Sequence, residues 1–360
     1  MATVYLGRHS TLDRQVAIKV LHPHLSSSQR NRKRFEREAR AIEHLRHENI
    51  LEIYDYSGVD TAECYIITEY VPGITLSEFR DEHGTIPSEV VSIIGIALTE
   101  ALAYAHDRGV LHRDLKPENV MIRRDGEVKL MDFGIARFLN ESQVTMTGAL
   151  VGSPAYMSPE QATEKDLDQR SDLFSLGTLL YEISTGYLPF TGSNPSLILK
   201  KIIDGERQSV TELAPKLSGT LSDLIERLMS TDPADRYSSA ASVADDLRLS
   251  CEEINLDPTE FCWSIGAFLN DPEGYRRKLQ QHIRDNLLDN GKAHLEAGEH
   301  HKALRLFNRL LSIDENNEEV LQLIQGLHRS TPSQSRSKRS WLPFAGVLLA
   351  VAAGVILYAL

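Results

Sequence analysis

The pattern of apolar and polar positions along this chain changes twice. Over residues 1 to about 70, the β-branched and aromatic runs "VAIKVL" (16–21) and "CYIITEYV" (64–71) predict strands. Between them, "QRNRKRFEREARAIEHL" sets Phe35, Ala39, Ile42 and Leu45 on one face of a helix. From about 75 to 250, helical patterns dominate. "VVSIIGIALTEALAYAHDRG" and "DLFSLGTLLYEISTG" end on Gly109 and Gly186, which are good helix stops. The fold class predicted is α+β: a small strand-rich lobe followed by a larger helical lobe, together residues 1–250. Beyond them, 251–283 reads as a connector of short helices separated by Asp-Pro turns, and 284–327 as a helical hairpin.

The hairpin "RDNLLDNGKAHLEAGEHHKALRLFNRLLSIDENN" resembles a tetratricopeptide repeat. Gly291, His294, Gly298, Ala303 and Phe307 fall where that repeat places small and aromatic packing residues, although Glu315 stands at the usual terminal proline. "EVLQLIQGL" would begin a second copy. Because so few repeats cannot bury their own faces, the segment is expected to recruit a protein, or to pack against a second copy of this chain as a homodimer. The alternative is an amphipathic helix pair packed on the preceding lobe. Residues 328–340, rich in serine and basic residues, read as a flexible linker. Residues 341–360, "WLPFAGVLLAVAAGVILYAL", carry no charge and would span about 30 Å as a helix, the thickness of a bilayer core. With Arg329, Arg336, Lys338 and Arg339 before it, this helix predicts a single-pass membrane protein whose bulk faces the cytoplasm.

Composition narrows the function. A formal net charge of -12 argues against nucleic acid as a partner, since phosphate contacts need a basic surface. Three scattered cysteines cannot frame a disulfide scaffold, so a reducing compartment is expected. The histidines show no zinc-ligand spacing, and His300-His301 read as a solvated helix face.

The chemistry lies in "HRDLKPENVMI" and "VKLMDFGIAR", with the Asp of D-F-G 13 residues after the Asn of the first motif and "VAIK" upstream. This combination resembles the catalytic core of serine/threonine protein kinases, over roughly residues 1 to 250. The resemblance implies a bilobal fold, ATP and Mg²⁺ as cofactors and protein substrates. Phosphoryl transfer needs positioning and charge neutralisation, with little covalent help. The resemblance implies that Asp132 and Asn119 hold metal, Asp114 accepts the substrate proton, Lys116 steadies the γ-phosphate, and Lys19 grips the α- and β-phosphates. Glu38 in "FEREA" would position Lys19, while Glu36 points elsewhere. In "ITEY", Thr68 would back the adenine pocket, and the backbone from Glu69 to Val71 would meet the base.

The segment "NESQVTMTGALVGSPAYMSPEQ" resembles an activation segment. Thr145 and Thr147 are its expected phosphorylation sites, with Arg113 placed to receive the phosphate and Ser153 beside the catalytic aspartate. Glu160, Arg236 and Asp172 are expected to be structural. At the N-terminus, Ala2 and Val4 align with the end of a glycine-rich phosphate loop, Val4 covering adenine. The loop's first two glycines and the family's first strand are missing, which predicts that in-frame codons upstream encode them. The rival reading is a pseudokinase scaffold; the intact Lys19, Asp114, Asn119 and Asp132 favour the enzyme.

Overall fold

The computed structural model describes residues 2–11, 13–22, 29–58, 61, 63–133 and 154–330. The linker and the apolar 341–360 segment lie outside them. The small lobe is an antiparallel sheet of order β1-β2-β4-β3, formed by β1 (Ala2–Arg8), β2 (Gln15–Leu21), β3 (Ile53–Tyr56) and β4 (Tyr65–Glu69). Helix α1 (Gln29–Glu43) buries Phe35, Ala39 and Ile42, the stripe expected from their spacing. Register fixes which residues share a face. Val4 lies opposite Lys19, and Ala17 opposite Thr68. Directly opposed residues of an antiparallel pair point to the same side, so Val4, Ala17, Lys19 and Thr68 all face one side of the sheet. Strand β1 is an edge among the described residues, and its Val4, Tyr5 and Leu6 are exposed.

The large lobe includes a short second sheet of order β5-β6-β7: β5 (Gly73–Thr75), β6 (Val120–Arg123) and β7 (Val128–Leu130). Its helices are α2 (Leu76–His83), α3 (Ser88–His106), α4 (Gln169–Thr185), α5 (Pro195–Asp204), α6 (Gly219–Leu228) and α7 (Ala240–Glu252). α4 is buried along nearly its whole length, so it is a central core helix. Asp168 caps its start by accepting the Arg170 N–H (2.8 Å), and Gly186 ends it at φ 78°, a left-handed turn that costs glycine little. By length and composition α3 could cross a membrane, but it is mostly buried in the lobe and is a core helix.

The C-terminal region departs from the expected layout. α8 (Pro272–Glu296) is one continuous helix, so connector and hairpin do not meet at a break near residue 283. The reason is its stripe of Tyr275, Leu279, Ile283, Leu287 and Gly291, buried at every fourth residue with no stop signal between. Asp271 caps the helix and Pro272 occupies its first turn, so this Asp-Pro pair starts the helix. α9 (His300–Ile313) then packs back on α8. A Cβ at Gly291 would come within 2.4 Å of Phe307, so only glycine admits this crossing. α10 (Glu318–Ser330) completes the array.

These helices bury their apolar residues in a core continuous with the large lobe. Arg309 is the bolt. It is 6% exposed, Glu89 is 3% exposed, and their guanidinium and carboxylate meet at 2.5 Å. Arg309 also donates to Ser88 Oγ (3.2 Å) and Glu253 (3.4 Å). The inner face of the hairpin is therefore occupied by the protein's own lobe.

Candidate active site

The catalytic loop hangs from Asp172, near the start of α4. One Asp172 oxygen accepts the Arg113 N–H (2.7 Å); the other accepts the His112 N–H (2.8 Å) and meets His106 Nε2 (2.8 Å). Burial alone would raise this carboxyl, but hydrogen bonds from His106 and the Arg113 backbone outweigh it and hold it below the usual carboxylate range. Arg113 and Asp132 both adopt left-handed backbone (φ 65° and 58°), costing about 1–3 kcal/mol each for a residue with a Cβ. Asp172 holds Arg113 there. His112 braces the D-F-G end: its Nε2 meets the Met131 carbonyl (2.8 Å), and its ring lies 4.7 Å from that of Phe133.

The charged residues of the motifs contact one another in two groups. Lys19 Nζ lies 2.7 Å from both oxygens of Asp132. Lys116 Nζ lies 2.8 Å from Asp114 Oδ2, and Asn119 Nδ2 donates to the Asp114 carbonyl (2.7 Å) and to its Oδ2 (2.9 Å). Five of the residues named from sequence, Lys19, Asp114, Lys116, Asn119 and Asp132, are thus joined in two clusters. Glu38 is on α1, with its side chain outside the described residues, as are Thr145, Thr147 and Ser153.

The hinge is held from behind. The Glu69 N–H donates to the Glu52 carbonyl (2.9 Å), and its carboxylate accepts the Glu52 N–H (2.9 Å) and faces Lys129 (3.4 Å). Thr68 Oγ1 donates to the Glu69 carbonyl (3.0 Å).

Beyond the loop, Arg236 forks onto Glu160 (2.8 and 2.9 Å), and Ser171 donates to the same carboxylate (2.7 Å). Gln161 Nε2 donates to the Arg113 carbonyl (3.0 Å), tying the segment after Ser158-Pro159-Glu160 to the catalytic loop.

Sequence reasoning missed His106, Lys129 and Gln161. Each is a polar residue outside the recognisable motifs, and no local pattern marks its long-range partner.

The donor set suits Mg²⁺. The Asn119 amide hydrogens go to Asp114, so its side-chain oxygen is the atom left for a cation, to which Asp132 would add a carboxylate. Two hard oxygens fit an ion that keeps several waters and phosphate oxygens. No group of three or more His, Cys, Asp or Glu among the described residues could hold a metal.

The family described as the protein kinase domain matches residues 1–247. The chain belongs to the protein kinase family. Mycobacterium tuberculosis PknL, a serine/threonine-protein kinase, is 36% identical over 255 residues, 71% of this chain and 64% of PknL. Bacillus subtilis PrkC, also a serine/threonine-protein kinase, is 36% identical over 262 residues, 72% of this chain and 40% of PrkC. The chain therefore spans less than two thirds of either relative. The crystal structure of the Mycobacterium tuberculosis PknI kinase domain superposes with a TM-score of 0.56 at 29% identity, covering 69% of this kinase and 91% of that domain.

The His112 brace gives the kinase an acid limit. Burial holds this imidazole below its ordinary value, outweighing the raising effect of Asp172 and the Met131 carbonyl. The unfolded chain then takes up the proton first. Stability from this group is full above about pH 6.5 and is lost as pH falls through the folded-state value. Urea unfolding should show a stability loss on acidification that is shallower in His112→Gln. Equal slopes would place the titrating group elsewhere.

Proposed function

We propose that this kinase transfers the γ-phosphate of ATP to serine or threonine hydroxyls of proteins. The observation that carries the reading is the pairing of Asp114 with Lys116 and Asn119, alongside the Lys19–Asp132 contact. Asp114 accepts the proton of the substrate hydroxyl, and Lys116 and Asn119 fix the orientation of its carboxylate. Lys19, on the same sheet face as Val4, supplies positive charge to phosphate oxygens. Mg²⁺, when bound through Asn119 and Asp132, would neutralise phosphate charge. The hinge edge from Glu69 to Val71 would hold the base, with Thr68 behind it. Incubation with Mg²⁺-ATP and a protein substrate, read by phosphate incorporation, tests this. ATP binding without any incorporation would favour the scaffold reading.

Regulation is proposed through Thr145 and Thr147, which lie between D-F-G and Ser158-Pro159-Glu160. A phosphate there carries a charge of about -2 and forms strong hydrogen bonds with a guanidinium, and Arg113, directly before Asp114, is the proposed receiver. Phosphopeptide mapping of active protein should find both sites. Full activity in the Thr145→Ala/Thr147→Ala double variant would remove the regulatory role. The uncharged 341–360 segment is proposed as a membrane anchor, leaving the kinase domain cytoplasmic. Detergent-free fractionation of cells, with and without this segment, would test that.

A further inference from the structure

Helix α2 has eight residues and begins directly after strand β5. A helix this short is marginal by itself. Thr75 caps its start, receiving the Glu78 N–H (3.2 Å), while Glu78 accepts the Thr75 N–H (2.7 Å). The other end is held by the C-terminal helices. Arg276 of α8 donates to the His83 carbonyl (2.9 Å) and the Thr85 carbonyl (3.0 Å). The same guanidinium lies 5.2 Å over Phe268, whose ring packs on Phe79 (5.6 Å) and His83 (5.2 Å). Terminal carbonyls of a helix lack internal partners, so Arg276 meets a real need.

From the same helix, Arg80 reaches the buried carboxylate of Glu182 in α4, and the second oxygen of Glu182 accepts the Tyr156 hydroxyl. Tyr156 ends the turn Pro154–Tyr156, just before Ser158-Pro159-Glu160, and its carbonyl accepts Ser175 Oγ (2.8 Å). Glu118, between Asp114 and Asn119 in the catalytic loop, acts electrostatically on both Tyr156 and Glu182. α2 therefore touches the C-terminal helices at one end and, through Arg80, the turn beside the catalytic loop.

We propose that Arg276 is a positioning residue: through α2 and the Arg80–Glu182–Tyr156 chain, the C-terminal helices set the Pro154–Tyr156 turn and, with it, how a protein substrate sits beside the catalytic loop. Glu182 is buried, so a shift of α2 that withdrew Arg80 would strand its charge; the chain resists such a shift and transmits it. The reading rests on the proposed kinase activity, so one measurement avoids catalysis. In full-length Arg276→Ala, amide hydrogen exchange should rise both in Leu76–His83 and at Ala155, Tyr156 and Met157. Arg305→Ala, which loosens the α9 contact with Asp223 (2.8 Å), should change neither. In turnover, KM for a peptide substrate should rise about three- to tenfold with kcat nearly unchanged, and adding Arg276→Ala to Arg80→Ala should cost little more than Arg80→Ala alone. Faster exchange confined to α2, or additive losses in the double variant, would overturn the proposal. Coupled exchange in a protein without transferase activity would uphold the linkage and sink the kinase reading instead.

Discussion

Asp132→Asn should lower phosphoryl transfer by at least about a thousandfold, the scale on which lost charge stabilisation slows a reaction whose catalysis is largely electrostatic. The substitution keeps the shape of the side chain and removes one negative charge from the proposed metal site. It also deprives Lys19 of the carboxylate that both 2.7 Å contacts use. Binding of a non-hydrolysable ATP analogue with Mg²⁺ should weaken in parallel. Asp114→Asn offers the contrast. Its carboxylate contacts Lys116 and Asn119 and makes no part of the Lys19–Asp132 contact, and its proposed work is proton acceptance. Loss of a general base costs about a hundred- to ten-thousandfold in rate while leaving nucleotide affinity nearly intact. Calorimetric titration beside single-turnover kinetics separates the two. Wild-type rates in both variants would show that the roles are assigned to the wrong residues.

The grouping of these residues was legible because the motifs set charged residues at short, fixed spacings. Asp114, Lys116 and Asn119 lie within six residues, and the geometry that joins them is local. Lys19 and Asp132 are 113 residues apart, yet each sits in a motif of its own. Helix ends at Gly186 and the α1 stripe were legible for the same reason, since caps and periodicity are local physics. What could not be read was any partnership without a motif at either end. Arg309 looks like one more charge on an amphipathic helix, and Glu89 like an exposed residue in a helix's first turn. Their burial together, 220 residues apart, depends on where α9 docks. Periodicity says that α8 and α9 have an apolar face; it does not say what the face meets. His106 is hidden likewise, because only the fold brings it to Asp172.

The second large effect expected is on stability, at the Glu160–Arg236 pair. The Arg236 side chain is completely buried and that of Glu160 is 7% exposed. Removing one partner of such a pair leaves an uncompensated buried charge, a loss of about 3–5 kcal/mol. The two single variants should differ. Arg236 also donates to the carbonyls of Ser230 (2.8 Å), Arg170 (2.8 Å) and Thr231 (3.2 Å). Arg236→Met strands these three acceptors as well as the carboxylate, whereas Glu160→Gln keeps an oxygen able to accept from Arg236 and Ser171. The first should therefore be the more destabilising. Joint replacement, Glu160→Leu with Arg236→Met, removes both charges and should recover part of the loss, but not all of it, because the carbonyls stay unpaired. The pair also sets an acid limit. Burial pushes Glu160 up, but the hydrogen bonds from Arg236 and Ser171 prevail and hold it below the ordinary value. Its contribution is thus complete above about pH 4.3 and disappears as pH falls through the folded-state value. Chemical unfolding of the two single variants and the double variant at neutral and acid pH measures both effects. A double variant no more stable than Arg236→Met alone would show that the backbone carbonyls, and not the stranded carboxylate, dominate the cost.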